Sequence, residues 1–323
     1  MRAVAVYRQG APDELKPADW DAPVPGQGEV LIDVAAAGVN FHDIYERSGV
    51  YPRATPYVPG LECAGTVSAL GADVTGVSVG DVVVTMQVSG PGAYAEKVVA
   101  PADLVVPVPE GVSAEQAAAV FLQGLTAQYL TSECHVVTPG ETILVHAAGG
   151  GVGLLLTQLL RSRGARVIAT VSTAAKEAAA REAGAEEVIR YTEADFVAEV
   201  KRITDGQGVD VVFDGVGKDT FDGSLAAVRA RGKIVVFGHP SGPASPLDMS
   251  IGPTGSIVVV KPTLPDFIAT RDELFARARD VFSWVASGEV TVPIGQKYPL
   301  EDAATAHADL QERRSVGKLL LIP

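Results

Sequence analysis

The stretch from Thr142 to Ala169 constrains the fold of this chain more than any other. It divides into a β-branched run Thr142–His146, a glycine turn Ala147–Gly153, an apolar run Leu154–Leu160 that ends at Gly164, and a second β-branched run Arg166–Ala169. A strand, a turn, a helix and a strand in this order make one βαβ unit. The glycines let the backbone approach a pyrophosphate, and the N–H groups at the start of the helix point towards the phosphate charge. The stretch therefore predicts a site for a dinucleotide or a similar ligand.

The glycine spacing in this turn differs from the common dinucleotide pattern. GxGxxG fails from Gly149 onwards, because Leu154 stands where the third glycine is required. The spacing that fits is Ala147-x-x-Gly150-x-x-Gly153. A glycine pattern is informative when it joins a strand to a helix, as this one does. Two alternatives stay open at this point, a tight turn without a ligand and a fold that binds another nucleotide-like molecule.

The composition favours a globular protein that does not bind nucleic acid. The chain has 323 residues, which predicts about two domains, and 47% of its residues are hydrophobic. Its formal net charge of −13 disfavours a broad contact with nucleic acid or an anionic membrane. Cys63 and Cys134 form no CxxC pair, which indicates a reduced, cytoplasmic setting. Met1–Tyr7 predicts a short strand and not a signal peptide, and no apolar run reaches transmembrane length.

The order of the predicted elements indicates an α/β fold with two domains. Residues 1 to about 120 are β-rich, with Pro and Gly turns that suggest a partly open barrel or compact sheet, and a helical pattern follows at Ala114–Leu130. From Glu141 to Pro262 strands and helices alternate, which is typical of a doubly wound parallel sheet. We therefore expect residues 123–262 to form a Rossmann dinucleotide-binding domain. Residues 1–122 and 263–323 are expected to form the β-rich catalytic domain.

Neither a serine hydrolase nor a zinc enzyme is indicated. Gly76–Gly80 matches GxSxG, but a strand follows it where a nucleophile elbow requires a helix. His42, Glu62 and Cys63 are the only near-cluster of metal ligands, and neither HExxH nor a paired CxxC is present. We therefore predict no metal site. His146 closes a buried strand and is expected to be a structural core residue.

The segment Asn40–Asp43 has two interpretations. In the first, Asn40 caps a short helix and Asp43 bonds back to the amide of Asn40 as a capping box, which the spacing favours. In the second, Asn40 lines a substrate pocket together with Tyr45 and Tyr51. One residue can serve both purposes, so both interpretations stay open.

The residues after the second strand of the βαβ unit predict the cofactor. An NAD site places an acidic residue about 20 residues after the glycine turn, where it binds the ribose 2′-hydroxyl. This chain has no acid among residues 170–173, and Lys176 follows within one helical turn. Hydroxyl donors and a nearby cation suit a 2′-phosphate, which indicates NADPH. The alternative is that Lys176 is an ordinary solvated helix residue.

Together these residues resemble the zinc-independent medium-chain dehydrogenase/reductases, in particular the quinone oxidoreductases of the zeta-crystallin type. The segments that carry the resemblance are Gly38–Tyr45, Arg47–Pro52, Pro59–Gly65, Gly92–Glu96, Gly124–Ala127, His146–Gly153 and Tyr298–His307. The chain departs from the zinc-bearing branch at both metal sites. Asn40 stands where that branch has a Cys ligand, Leu61 stands where it has a His ligand, and the four-cysteine lobe has no counterpart after Val84.

The resemblance implies a GroES-like first domain, completed by the C-terminal tail, and a cofactor cleft between the domains. It also implies the cofactor contacts: Thr126, Tyr129, Phe237 and Gly238 at the nicotinamide with Tyr45 close by, Gly150, Gly151 and Val152 at the pyrophosphate, and Ser172, Lys176, Tyr191 and Arg313 around the 2′-phosphate. Arg314, next to Arg313, leaves that assignment ambiguous. Members of the family pair through the sixth strand of the nucleotide domain, here Gly255–Val260 with the apolar residues Ile257–Val260, so a homodimer is expected.

The leading hypothesis is an NADPH-dependent quinone reductase that transfers hydride from the nicotinamide to a quinone without zinc. Asn40, Tyr45 and Tyr51 are its candidate catalytic residues. The nearest alternative is a reductase of alkenals, enones or enoyl thioesters on the same fold. A non-enzymatic alternative is an NADPH-binding structural or RNA-associated protein, although the net charge of −13 disfavours RNA.

Overall fold

The structure is a computed structural model that describes residues 1–247 and 255–323. The chain forms two compact units. Unit 1 contains Met1–Gln123, Thr270–Ala286 and Val292–Pro323, and unit 2 contains Gly124–Ala269 and Ser287–Thr291. Within these described residues, no helix is both long enough and apolar enough to cross a membrane.

The N-terminal part of unit 1 is rich in β-strands. Its elements are β1 Arg2–Val6, β2 Leu15–Asp19, β3 Glu29–Val39, α1 Phe41–Ser48, β4 Glu62–Leu70, β5 Val82–Thr85, β6 Lys97–Pro101, β7 Val106–Pro107 and α2 Ala114–Tyr129, the last of which continues into unit 2 and is followed by a π-helical turn, Leu130–Cys134. β3 is the longest strand, and it pairs antiparallel with both β4 and β6. Its alternate residues Val30, Ile32 and Val34 are buried, which is the pattern of a strand with one face in the core.

Unit 2 is a doubly wound sheet. Its elements are β8 Thr142–Val145, α3 Gly151–Ser162, β9 Arg166–Val171, α4 Ala174–Glu182, β10 Glu187–Arg190, α5 Phe196–Ile203, β11 Val209–Asp214, α6 Phe221–Ala227, β12 Val228–Val236, β13 Val258–Val260 and α7 Leu264–Phe267. The described strands pair in parallel in the order β10-β9-β8-β11-β12-β13. Ile143 and Val145 of β8 face one apolar cluster, whereas Leu144 faces another. Because both faces of the sheet are covered, its strands are apolar throughout.

The C-terminal tail adds α8 Arg271–Ser287, β14 Ile294–Pro299, α9 Ala303–Gln311 and β15 Lys318–Ile322. β15 pairs antiparallel with β3, so that Leu319 lies opposite Val39 and Leu321 opposite Ala37. β14 pairs in parallel with the other edge of β15. The last strand therefore lies beside the segment that leads to Asn40, although the two are far apart in sequence.

The predicted α/β class and doubly wound sheet are confirmed, and the unit boundaries differ from the predicted domains in detail. The predicted catalytic domain resumed at residue 263, whereas residues 263–269 and 287–291 belong to unit 2. Packing explains both differences. The ring of Phe267 stacks on that of Tyr129 with centroids 4.2 Å apart, and the amide of Gln158 forms two hydrogen bonds with the backbone of Thr291.

Candidate active site

The glycine turn of unit 2 joins the end of β8 to the start of α3. Its left-handed residue is Ala147, with φ 52°, and not one of the glycines that follow. A Cβ atom at Gly153 would lie 2.4 Å from the carbonyl oxygen of Ala147, so only glycine fits there. Gly150 is the N-cap of α3, and a Cβ atom at this position would meet the same oxygen at 3.4 Å. Close packing therefore requires glycine at Gly153, whereas Gly150 marks the start of the helix and its contact with Ala147 is an ordinary one.

The first turn of α3 offers backbone donors to an anion. The amide of Leu154 is the first to bond back into the helix, to the carbonyl oxygen of Gly150 at 2.9 Å. The N–H groups of Gly151, Val152 and Gly153 precede that bond and have no acceptor within the helix. They also lie at the positive end of the helix dipole. This end of the turn therefore fits the pyrophosphate of a dinucleotide.

Gly149 lies against the side chain of Lys176. A Cβ atom at Gly149 would come within 2.7 Å of Cβ and 2.8 Å of Cγ of Lys176. Lys176 occupies the first turn of α4, where its backbone N–H donates to Oγ1 of Thr173 at 3.3 Å. The aliphatic stem of Lys176 therefore rests on the glycine turn, which brings a cationic side chain next to the phosphate-binding loop.

The other residues implied for the 2′-phosphate in unit 2 lie at the carboxyl ends of β9 and β10. The backbone N–H of Tyr191 donates to the carbonyl oxygen of Val171 at 3.1 Å. Oγ1 of Thr192 donates to the carbonyl oxygen of Ser172 at 3.0 Å. Ser172 and Tyr191 are thereby neighbours at one edge of the sheet, and Lys176 lies in the first turn of the helix that follows Ser172.

Arg313 belongs to unit 1, where it follows the C-cap residue of α9, Glu312, and has a left-handed φ of 60°. Its neighbour Arg314 donates from Nε to Oδ1 of Asp309 at 2.7 Å. The hydroxyl of Tyr298 donates to Oδ2 of the same carboxylate at 2.5 Å, and this bond together with Arg314 lowers the pKa of Asp309. Arg314 is therefore engaged with a carboxylate of its own unit, and Arg313 stays the residue that the resemblance implies for the phosphate.

Two of the residues implied for the nicotinamide, Tyr129 and Phe237, belong to one apolar cluster of unit 2. Tyr129 is buried and stacks on Phe267, while Val152 and Phe237 pack against the same cluster. The ring of Phe237 lies over Gly215, where a Cβ atom would approach it to 2.7 Å. A Cβ atom at Gly238 would likewise lie 2.7 Å from the carbonyl oxygen of Gly215. Thr126 precedes Tyr129 by three residues, on the same face of α2.

The structure forms the capping box predicted at the start of α1. The backbone N–H of Asn40 donates to Oδ2 of Asp43 at 2.8 Å. Asp43 is fully buried, and it also accepts from the backbone N–H of Leu61 at 3.1 Å and from the hydroxyl of Tyr94 at 3.1 Å. Burial raises the pKa of Asp43 to about 7 despite these donors.

The side-chain amide of Asn40 is surrounded by partners. Nδ2 donates to Oε1 of Glu62 at 2.9 Å and to the carbonyl oxygen of Gly38 at 3.3 Å. Oδ1 accepts from Nζ of Lys318 at 2.7 Å and from Nε2 of Gln123 at 2.8 Å. Both amide hydrogens of Asn40 are therefore already donated within unit 1.

Tyr45 and Tyr51 lie beside each other at the surface of unit 1. Their rings meet edge to face with centroids 5.2 Å apart, and His42 contacts the ring of Tyr51 at 5.4 Å. Tyr45 is half-buried and Tyr51 is 37% exposed. The structure thus brings together the two predicted phenols, whereas Asn40 is buried in the polar cluster described above.

Glu62, Gln123 and Lys318 were missed as site residues. Their side chains reach Asn40 from β4, α2 and β15, so that no local spacing connects them. One signal was present in the sequence, since Lys318 is a charged residue at the start of the apolar strand Lys318–Ile322. A charge in a buried strand requires a partner, and Lys318 finds it in Glu62.

The predicted structural role of His146 is confirmed. Its ring is buried, with Nδ1 2.8 Å from Oγ1 of Thr170 and Nε2 3.1 Å from Oγ of Ser224. Cys63 belongs to the near-cluster of metal ligands named in the sequence analysis, and its surroundings are those of a core residue. Cys63 is buried, which raises the pKa of its thiol to about 12, and in the described part of the chain no three His, Cys, Asp or Glu side chains are grouped to hold a metal ion.

Comparisons with known proteins cover the whole chain. Residues 26–110 match the family model of the alcohol dehydrogenase GroES-like domain, and residues 151–277 match that of the zinc-binding dehydrogenases. The chain is 41% identical to quinone oxidoreductase 1 of Escherichia coli over 99% of both proteins. It is 36% identical to the 2-haloacrylate reductase of a Burkholderia species, over 100% of this chain and 99% of that protein. The crystal structure of Escherichia coli quinone oxidoreductase complexed with NADPH superimposes with a TM-score of 0.96 at 41% identity, over 100% of both chains.

Proposed function

Because the chain belongs to the quinone oxidoreductases among the medium-chain dehydrogenase/reductases, we propose that it is an NADPH-dependent quinone reductase that works without zinc. The observation that carries the proposal is the position of Lys176, whose stem rests on Gly149 beside a strand end that has no carboxylate. A dianionic 2′-phosphate suits that place better than a ribose hydroxyl. The full-length similarity to quinone oxidoreductases supports the choice of acceptor.

In this proposal unit 2 holds the cofactor. Gly150, Gly151 and Val152 hold the pyrophosphate, and the N–H groups of Gly151 and Val152 are the donors, because the N–H of Gly150 already donates to the carbonyl oxygen of Ala147 at 3.0 Å. Ser172, Lys176 and Tyr191 bind the 2′-phosphate, and Arg313 adds a second cation. Thr126, Tyr129, Phe237 and Gly238 border the nicotinamide, whose dihydro form supplies the hydride.

The protein's part in the reaction is to orient the acceptor and to exclude water. A quinone carbonyl is a strong acceptor, so its reduced oxygen requires only a hydrogen-bond donor or a proton from water. We assign that donation to Tyr51, with Tyr45 beside it. Asn40 has given both of its amide hydrogens to Gly38 and Glu62, so we assign Asn40 to the support of the site and not to donation.

Two measurements test the main proposal. Rapid-mixing experiments with NADPH and a panel of 1,4-quinones should show oxidation of NADPH, and absence of turnover with every quinone would overturn the proposal. Lys176→Ala should raise the KM for NADPH while the KM for NADH changes little. Equal effects on both cofactors would mean that Lys176 does not contact the 2′-phosphate.

A second candidate function is the reduction of an activated carbon–carbon double bond. The similarity to a 2-haloacrylate reductase favours it. Comparing a quinone, an enone, an enoyl-CoA and 2-chloroacrylate at equal concentrations of enzyme and NADPH separates the two functions. Faster turnover with the quinone supports the main proposal, and faster turnover with an alkene supports the second.

We also propose a homodimer that acts in the cytoplasm. β13 is the edge strand of the described sheet, and its residues Val258 and Val259 are 49% and 38% exposed. An exposed apolar edge is a natural pairing surface. Light scattering should give a molar mass of twice that of the monomer, and Val259→Lys should reduce the molar mass to that of one monomer. A monomeric parent protein would contradict the dimer.

A further inference from the structure

The buried polar cluster of unit 1 contains one acceptor that has no partner. The cluster consists of Asn40, Glu62, Gln123 and Lys318. Nζ of Lys318 lies 2.5 Å from Oε1 of Glu62, and both side chains are almost completely shielded from solvent. Oε2 of Glu62 accepts from the backbone N–H of Leu122 at 3.0 Å. Gln123 is 6% exposed, and its Oε1 is buried without a hydrogen-bond partner.

The ammonium of Lys318 fixes the direction of every hydrogen bond in this cluster. An ammonium only donates, so the amide atom of Asn40 that faces Lys318 must be the oxygen. The nitrogen of Asn40 then faces the acceptors of Glu62 and Gly38. Because Oδ1 of Asn40 is an acceptor, Gln123 must turn its nitrogen towards Asn40, at 2.8 Å. The carbonyl oxygen of Gln123 is thereby held on the opposite side of its amide.

An orphan acceptor of this kind points to a ligand. A buried oxygen without a donor costs about 1–3 kcal/mol, and reversing the amide of Gln123 would instead oppose its oxygen to that of Asn40. Gln123 also precedes Thr126 by three residues on α2, so the two share one face of the helix. Thr126 is the proposed nicotinamide contact on that face.

We propose that Oε1 of Gln123 is a ligand-binding acceptor whose direction is set by Lys318 through Asn40. The ligand it takes is an N–H or O–H donor, which the carboxamide of a nicotinamide and the hydroxyl of a reduced quinone both provide. An oxidised quinone has no such donor. This assignment rests on the proposed function, and it makes Lys318 a positioning residue for recognition at Gln123.

Gln123→Met is the direct test, because methionine has a similar length and offers neither amide atom. Gln116→Met on the same helix is the matched control, since Gln116 caps the first turn through the N–H of Ser113 and lies outside the cluster. Fluorescence titration gives the Kd of NADPH, and steady-state kinetics gives the inhibition constant of the hydroquinone product. A rise of about tenfold in one of them is expected, as for the loss of one good hydrogen bond.

The two readouts identify the donor. A weaker Kd for NADPH with unchanged hydroquinone inhibition assigns the carboxamide, and the reverse assigns the hydroquinone hydroxyl. Unchanged values for both, in a Gln123→Met protein that keeps its unfolding free energy, would overturn the assignment. A parent protein that neither binds NADPH nor reduces quinones would instead refute the proposed function, so the two failures are distinguishable.

A double variant tests the control by Lys318. Glu62→Gln with Lys318→Met removes both charges together and leaves no unpaired ion in the core. The orientation of Asn40 is then released, so the affinity affected by Gln123→Met should fall in the double variant as well. Adding Gln123→Met to this double variant should produce less than a twofold further loss. A full tenfold further loss would show that Lys318 does not orient Gln123.

Discussion

Two buried carboxylates, one in each unit, are stabilised in different ways. Glu62 of unit 1 is fully buried, and its partners are the ammonium of Lys318, the amide of Asn40 and one backbone N–H. Asp214 of unit 2 is also fully buried, but it is surrounded by hydroxyls and backbone N–H groups. These donors are Oγ1 of Thr220 at 2.8 Å, Oγ of Ser224 at 3.0 Å, and the N–H groups of Val216 and Gly217 at 2.9 and 3.0 Å.

The difference indicates how much stability each unit loses when one partner of its buried carboxylate is removed. Glu62 relies on a charge that the chain delivers from 256 residues away, through the pairing of β15 with β3. Asp214 relies on several neutral donors, all of them within ten residues along the chain. Loss of one partner should therefore destabilise more at Glu62, since an unpaired buried charge costs more than one lost neutral donor among several.

The largest effect is expected for Lys318→Met. This change leaves the Glu62 carboxylate buried without its cation, and unfolding experiments in denaturant should show a loss of about 3–5 kcal/mol. Adding Glu62→Gln should recover most of that loss, because the buried charge is then gone. Lys97→Met is the matched control, because Lys97 pairs with Asp33 at the surface and should lose at most about 1 kcal/mol. If Lys318→Met lowered the unfolding free energy by no more than the control, Glu62 would not depend on Lys318, and the two carboxylates would not differ in this respect.

Thr220→Val tests the other carboxylate. The substitution keeps the shape of the side chain and removes one hydroxyl donor from Asp214, while Ser224 and two backbone N–H groups stay in place. A loss of about 1.5–3 kcal/mol in unfolding free energy is expected for a hydrogen bond to a charged group. If the loss equalled that of Lys318→Met, Asp214 would depend on a single partner as well.

The same contrast explains what the sequence could predict. The predicted β-branched run Arg166–Ala169 lies within the observed strand Arg166–Val171, because an apolar run between a glycine and a polar turn is local information. The glycine turn and Lys176 lie in one βαβ unit, so their proximity follows from that unit alone. The ion pair between Glu62 and Lys318 depends on the register of β3, β4 and β15, which no periodicity shows. Likewise, the left-handed position in the turn is Ala147, although three glycines follow at residues 149–151.

In contrast to the two buried carboxylates, the buried side chain of His307 is neutral. Its ring is buried in unit 1 with Nε2 2.8 Å from the hydroxyl of Tyr94, and burial, followed by the charge of Arg47, lowers its pKa to about 3. The unfolded chain binds the proton below about 6.5. The contribution of His307 is therefore complete above about pH 6.5 and is lost as the pH falls towards 3.

His307→Phe isolates this contribution. The difference in unfolding free energy between the parent protein and the variant should shrink as the pH falls from 6.5 to 5, by at most about 1.4 kcal/mol per pH unit. Denaturant unfolding at several pH values measures it. A difference that does not vary with pH would mean that His307 titrates normally in the folded protein.

Gly149→Ala is expected to give the smallest effect on function, a selective loss of affinity for one cofactor. The substitution tests how Lys176 is held. Lys318 is fixed by an ion pair, whereas the stem of half-buried Lys176 rests on Gly149. A methyl group at Gly149 would lie 2.7 Å from Cβ of Lys176, so the stem of Lys176 must shift together with the start of α4, and Gly149 has no left-handed φ that would strain an alanine.

The Kd of NADPH should therefore rise about three- to tenfold, or by about 1 kcal/mol, while the Kd of NADH stays unchanged. In the background of Lys176→Ala the same substitution should change the Kd of NADPH very little, since the displaced cation is already absent. Independent, additive effects of the two substitutions would show that Gly149 acts on the pyrophosphate and not through Lys176. The position of the Lys176 ammonium would then not depend on Gly149. Lys176, like Lys318, would be held by side-chain or helix contacts and not by the glycine turn.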